Sequence, residues 1–124
     1  MTADVLEIGE ATRWQNSEET TLIDIRYQAQ AESGAVWDID AAAGIFYEDI
    51  NELELKNGVT VLELTRDTTI QTGSMRLYMD QKRAQGEQEV VTTGRGSRTT
   101  GSAFELDLQS SMATLKGDVR TEYE

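Results

Sequence analysis

Two acidic pairs are the residues of this sequence whose spacing first suggests chemistry: Asp38 and Asp40 in WDID, and Glu52 and Glu54 in NELEL. Residues two apart on an extended chain project from one face, so either pair could share a proton or hold a hard cation. Neither has the company such a site needs. The Asp-x-Asp at 38 to 40 lacks further ligands at recognisable spacing, and acidic alternation is the ordinary solvated side of a strand. The chain contains no histidine and no cysteine, which removes the imidazole base, the thiol nucleophile, the disulfide and the usual zinc ligands together. GRGSRTTG at 94 to 101 has neither Gly-x-Gly-x-x-Gly nor Gly-Lys-Ser/Thr, and no helix pattern follows it. It reads as a lightly basic turn and not a phosphate cradle. No catalytic residue, metal ligand or cofactor is expected.

Charge narrows the partners. The net charge of −12 argues against nucleic acid, whose phosphates are held by clustered Lys and Arg. The excess is lopsided: residues 1 to 64 carry −11 and residues 65 to 124 carry −1. Arg76, Lys82, Arg83, Arg95 and Arg98 fall within 23 positions, either as a solvated face or as a mild anchor for an anionic head group. No run reaches the roughly 18 apolar residues of a membrane helix, and MTADVLEIGE lacks the regions of a signal peptide. At 124 residues the chain suits one domain spanning 1–124.

The elements that would position any site are written in a repeat. LELKNGVTV at 53 to 61, AQGEQEVVT at 84 to 92 and ATLKGDVRT at 113 to 121 align on Val59, Val90 and Val119, at spacings of 31 and 29 residues. Four residues before each Val stand Leu55, Gly86 and Leu115; thirteen before stand Phe46, Leu77 and Leu106. Asp49, Asp80 and Gln109 stand ten before, where the chain must turn, and Ile39, Ile70 and Thr99 twenty before. A partial copy, LEIGEATRW at 6 to 14, opens the chain. A period near 30 is the mark of stacked supersecondary units that cannot bury their apolar faces alone.

Within each copy apolar residues alternate with period two, as in Met75, Leu77, Met79 and Phe104, Leu106, Leu108. This predicts half-buried strands and an all-β chain without helices. The parity of the apolar positions reverses beside Gly73, near Gly101 and near Gly44, as a strand does where it bends from one sheet into another. Repeated corners build an open, twisted antiparallel β-jelly roll: two facing sheets, repeat-built and solenoid-like, around an apolar interior groove. Ile39, Phe46, Leu53, Leu55 and Val59 are expected to line that groove from the first half. Ile70, Met75, Leu77, Met79 and Val90 follow, and Phe104, Leu106, Leu108, Leu115 and Val119 complete it. Leu6, Ile8 and Trp37 are expected to point inward as well. The mixture of Met with thin residues such as Ala41, Ala84 and Gly86 leaves room for an irregular apolar ligand. If the repeats stack in order, residues 113 to 123 form an edge strand in which Leu115, Val119 and Tyr123 continue the apolar lining, with Leu115, Val119, Thr121 and Tyr123 presented to a partner.

The second half, GSMRLYMDQKRAQGEQEVVTTGRGSRTTGSAFELDLQSSMATLKGDVRTEYE, resembles the periplasmic domain of the lipopolysaccharide-transport protein family LptC, and more distantly its relative LptA. The resemblance rests on the strand–turn–strand repeat, the GSAFELDL run from Gly101, the Ala-x-Leu-x-Gly-x-Val step at 113 to 119 and the closing VRTEYE. It extends more weakly through GAVWDIDAAAGIFYEDINELELKNGVTV. It implies a jelly roll in the periplasm of a Gram-negative bacterium that receives lipopolysaccharide from the inner-membrane ABC transporter, with acyl chains in the apolar groove. It implies the LptF/LptG-type jelly rolls of the transporter at the N-terminal edge and an LptA-like protein at the C-terminal edge. The membrane helix that normally tethers such proteins to the inner membrane is not in this sequence and is expected to precede it. Other readings are an LptA-like bridge component, or a structural β-repeat protein that self-associates edge to edge through its exposed strands.

Overall fold

The computed structural model describes residues 4–123 and contains only strands and turns. No helix of the described residues is long and apolar enough to cross a membrane. Four long strands come first: β1 (Val5–Arg13), β2 (Glu19–Gln30), β3 (Val36–Tyr47) and β4 (Glu52–Glu63). Eight short ones follow: β5 (Thr68–Thr72), β6 (Met75–Tyr78), β7 (Arg83–Gly86), β8 (Val90–Gly94), β9 (Ser97–Gly101), β10 (Ala103–Asp107), β11 (Met112–Lys116) and β12 (Arg120–Tyr123). All pair antiparallel, in a single sheet that forks at β4. The C-terminal half of β4 pairs with β5 through Val61↔Ile70, and its N-terminal half pairs with β6 through Leu53↔Leu77. Beyond the fork, β5, β8, β9 and β12 extend one leaf while β6, β7, β10 and β11 extend the other. Strands β1 to β4 run through both leaves.

Each chain segment therefore has to bend once as it passes from leaf to leaf, and the bends share one line. Gly9 and Asp24 interrupt the β1–β2 register, and the β3–β4 register shifts between Ala41 and Ala43. Asn57 and Gly58 take positive φ in β4 (64° and 97°). Gly73–Ser74, Glu87–Glu89, Ser102 and Gly117–Val119 separate the paired short strands. The parity reversals expected beside Gly73 and Gly101 fall on this line, at Gly73–Ser74 and Ser102. The one expected near Gly44 lies two residues earlier, at Ala42, which stands opposite two residues of β4, Asn57 and Gly58. Extra residues of this kind reverse which face the next side chain occupies.

The 30-residue repeat appears as rows across the sheet. Phe46, Leu53, Leu77, Ala84 and Leu106 are consecutive cross-strand partners. So are Ile39, Val61, Ile70, Thr92 and Thr99. Gly86 and Leu115 flank Phe104. Residues one period apart occupy the same row because each repeat adds one strand pair to each leaf. The inner faces of both leaves merge into one apolar cluster running from Leu22 to Leu108.

Four side chains expected inside are not enclosed. Leu6 and Ile8 lie on the edge strand β1 at 36% and 37% exposure, Val119 lies outside any strand at 52%, and Tyr123 on β12 is 81% exposed. Alternation gives the face on which a side chain projects; burial also needs an opposing strand, and β1 and the last segment are the ends of the ladder.

Close approach makes one glycine test the packing. A Cβ on Gly44 would stand 2.6 Å from the Glu54 carbonyl oxygen and 2.6 Å from Ile25 Cδ1 across the leaves. Gly44→Ala is expected to destabilise the fold by ~1–3 kcal/mol through overpacking. Equilibrium urea unfolding checks this, with Gly94→Ala as the control, since a Cβ there would meet nothing nearer than Ser97 Oγ at 3.9 Å.

Candidate functional site

The fold decides first what the two acidic pairs do. Asp38 and Asp40 project from the outer face of β3, and Arg26 on β2 stands beside both. Arg26 Nη2 donates to Asp38 Oδ2 at 2.7 Å and Nε to Oδ1 at 3.1 Å, and its Nε lies 4.0 Å from Asp40. Asp38 is buried. Burial and the neighbouring Asp38 charge raise the Asp40 pKa, against the pull of Arg26. Glu52 and Glu54 share Arg76 in the same manner, at 2.9 and 2.7 Å, and the Arg76 guanidinium also sits 5.2 Å over the Tyr47 ring. Each pair is thus a cross-strand charge clamp centred on one arginine, with Lys56 and the Tyr47 hydroxyl adding further contacts to Glu54. Among the described residues no group of three or more acidic, His or Cys side chains could hold a metal ion.

The apolar residues singled out in the sequence are brought together between the leaves. Ile39, Val59 and Ile70 from one leaf face Leu53, Leu55, Met75, Leu77, Phe104, Leu106 and Leu108 from the other, all at 0–2% exposure; Val90 joins them at 0%. Phe46, Met79 and Leu115 pack against this cluster and are partly buried. Val119 is not among them. The interior is therefore closed along its middle and apolar on both walls, and it becomes accessible toward its two ends. At one end stand Leu6 and Ile8 on β1; at the other stand Leu115 on β11 and Thr121 and Tyr123 on β12. A surface cavity of about 490 Å³ lies beside the corner at Ser74 and Gln88, against the clamp residues Glu54 and Arg76, and touches the wall at Met75 and Gly86.

The inner walls differ in polarity along the ladder. In the leaf of β5, β8, β9 and β12, the row of Ile39, Val61 and Ile70 continues as Thr92, Thr99 and Thr121. Thr99 and Thr121 hydroxyls are 3.0 Å apart. Thr92 Oγ1 and Trp37 Nε1 are buried with no hydrogen-bond partner among the described residues. Trp37 was expected to face inward, and it does, at 3% exposure; its unmet donor carries no mark in the sequence.

The side opposite the corner, where the hairpin turns of the two leaves meet, was not foreseen. Glu32 in the β2–β3 turn donates its backbone N–H to the Gln109 carbonyl at 3.0 Å, and Gln109 Nε2 returns a bond to Glu32 Oε1 at 3.0 Å. Arg66 in the β4–β5 turn donates to the Ser111 carbonyl and Oγ, both at 3.2 Å. Lys82 in the β6–β7 turn lies 3.4 Å from Asp4 Oδ1, and Asp4 Oδ2 accepts from the Tyr27 hydroxyl at 2.6 Å. Glu63, 2% exposed at the same rim, accepts from the backbone N–H groups of Thr65 and Arg66.

A family model described as "LptC: Lipopolysaccharide-assembly, LptC-related" matches residues 5–124. A search by sequence against curated proteins finds no match. Among solved structures, the chain is similar to that of LptH from Pseudomonas aeruginosa, described as the LptA homologous periplasmic component of the conserved lipopolysaccharide transport device. The TM-score is 0.70 at 8% identity, covering 98% of this chain and 95% of that one. At that identity the likeness concerns the fold.

The Tyr27 contact makes a pH prediction. Burial, and then the bond to Asp4, push the Tyr27 phenol well above its ordinary 10.0. The folded state holds this proton where the unfolded chain releases it, so the associated stability is intact below pH 10.0 and declines as pH rises beyond it. Chemical denaturation of wild type and Tyr27→Phe between neutral pH and pH ~12 should show a steeper alkaline loss in the wild type. Parallel curves would sink the assignment.

Proposed function

The chain belongs to the LptC-related family of lipopolysaccharide-assembly proteins, and from that premise we propose that it carries lipopolysaccharide across the periplasm with the acyl chains between its two leaves. One observation carries this reading: two facing walls, apolar from Leu22 to Leu108, are joined along one line of bends and end in uncovered edge strands. Burying one methylene contributes ~0.8 kcal/mol, so partial insertion of a multi-acyl lipid between walls of this kind suffices for useful binding. The ligand-facing residues are those at the centre of the walls, from Ile39, Phe46, Leu53, Leu55 and Val59 through Ile70, Met75, Leu77, Met79 and Val90 to Phe104, Leu106, Leu108 and Leu115. Thin positions such as Ala84 and Gly86 lie in the same walls.

The direction of transfer follows from the two ends. Lipid enters from the jelly rolls of the inner-membrane transporter at the β1 edge, and leaves to an LptA-like protein at the edge of β11 and β12. Both edges carry unpaired backbone groups, the feature that strand addition uses. At the exit edge Leu115, Val119, Thr121 and Tyr123 supply the contact, their partial or full exposure being what an interface awaiting its partner requires. The −11 charge of residues 1 to 64 keeps phosphorylated head groups in water or near the less acidic second half.

The lipid reading is tested by photo-crosslinking with lipopolysaccharide. A reactive residue at Leu77, Phe104 or Leu106 should capture it, and one at Arg76 or Glu105, on the outer face of the same strands, should not. Equal capture at both sets would show that the interior is not the binding site.

The exit edge is tested with proline at Lys116 in β11 or Thr121 in β12, which removes one backbone donor from each edge segment. One of the two is expected to abolish binding to an LptA-like protein in pull-down assays while β-type circular dichroism persists. Binding retained with both prolines in a folded protein would place the exit elsewhere.

A further inference from the structure

The contacts opposite the corner have an arrangement that packing alone does not demand. The two leaves are covalently continuous along the line of bends, and along the opposite side they are held by side chains and turns. Three bridges span that side: Glu32 with Gln109, Arg66 with Ser111, and Asp4 with Lys82. Each joins a turn or terminus of one leaf to a turn of the other. All are polar, and their cations reach solvent, the Arg66 side chain being 63% exposed and that of Lys82 34%, while the Asp4 oxygen facing Lys82 is buried. Polar contacts at a wet rim exchange for water at little net cost, because each group regains a hydrogen bond on release. The apolar interior behind them has no such alternative. The rim is consequently the side on which the leaves separate most readily.

Directly inside the rim is Trp37. It pairs in register with Glu63 and Ala29, next to the turn that carries Glu32, and its indole N–H is buried without an acceptor among the described residues. A buried donor left unmet is uncommon in folded proteins and calls for an acceptor from elsewhere. Deeper in the wall, from Ile39 to Leu106, the lining is hydrocarbon apart from the hydroxyls of Thr72 and Thr92.

We propose that the three bridges are a latch, that acyl chains enter sideways through the side it closes, and that Trp37 then donates its N–H to the ester, amide or hydroxyl oxygen at the head end of an acyl chain. This rests on the lipid-carrying reading above and adds to it the route and the first polar contact. A chain inserted tail first from this side puts its methylenes against the apolar walls, its carbonyl at the depth of Trp37, and its sugar head outside. Opening the latch also frees Arg66 and Lys82 beside that head, where cations suit an anionic lipid.

The absence of cysteine from the sequence makes the test direct. In Glu32→Cys/Gln109→Cys, a disulfide fixes the latch shut; the backbone bond between the two residues brings their chains within the reach that a disulfide needs. Gln85→Cys/Glu105→Cys, cross-strand partners on the outer face of a single leaf, is the control. Purified fluorescent lipopolysaccharide is the probe. Oxidised latch variant should load at least tenfold less than the same protein after reduction, and the control should load equally in both states. Equal loading by the oxidised and reduced latch variant overturns the sideways route and means that lipid enters by the ends. Failure of reduced protein and wild type alike to load overturns the lipid reading itself, and the latch with it. For Trp37, a Trp14→Phe background leaves it the single tryptophan, and its emission should shift on loading. An unchanged spectrum in protein that has taken up lipid overturns the donor role.

Discussion

Everything in this fold depends on all the strands bending at the same place. A twisted antiparallel sheet of twelve strands has one apolar face and, left flat, would expose it to water. Folding the sheet once along a line turns that face upon itself, and it succeeds only if each strand breaks register where its neighbours do. The sequence meets this requirement by several local means: glycine at Gly9 and Gly73, positive φ at Asp24, Asn57, Gly58, Gly117 and Asp118, and an extra residue in β4 opposite Ala42. Short polar residues and glycine tolerate the left-handed region better than branched or bulky ones. Once the line exists, apolar rows that alternate on one face of the chain become opposing walls.

Those rows are the part of the structure that the sequence displays most openly. Period-two alternation identified the inner face of β6 and β10, and the 30-residue repeat identified which residues share a row, since one repeat is one turn through both leaves. Phe46, Leu77 and Leu106 lie in one row for that reason, and Ile39, Ile70 and Thr99 in another. Less of the candidate site could be read. A local pattern says nothing about what stands opposite, so Leu6, Ile8, Val119 and Tyr123 look as inward as Leu77 although no strand covers them. Contacts across the rim join Glu32 to Gln109, 77 residues apart, and neither residue has a neighbour pattern that announces the other. Trp37 can be recognised as buried from the alternation of WDID, but whether its N–H finds an acceptor depends on side chains from other strands.

The charged residues follow a division of labour that the same geometry imposes. On the outer face, acidic pairs two residues apart are bridged by an arginine from the adjacent strand, Arg26 for Asp38 and Asp40, and Arg76 for Glu52 and Glu54. Such clamps hold neighbouring strands in register without contributing to the walls. At the rim, polar side chains connect the leaves to each other. Between the walls, the described charged residue with the deepest burial is Glu63, held by backbone N–H groups at the turn after β4. The interior thus stays hydrocarbon while both of its boundaries are polar.

The fork at β4 has an evolutionary consequence. Up to β4 the strands are single pieces nine to twelve residues long that tie both leaves together; after it, each leaf grows by its own four- or five-residue pieces. One further helping of about 30 residues adds a pair of such pieces to each leaf and leaves every earlier contact in place. Its outermost backbone would again be unpaired, so the surface offered to a neighbour is regenerated with each duplication. Length in this architecture is accordingly a copy number, adjustable by tandem gain or loss of one segment, whereas the rest of the molecule can remain unaltered.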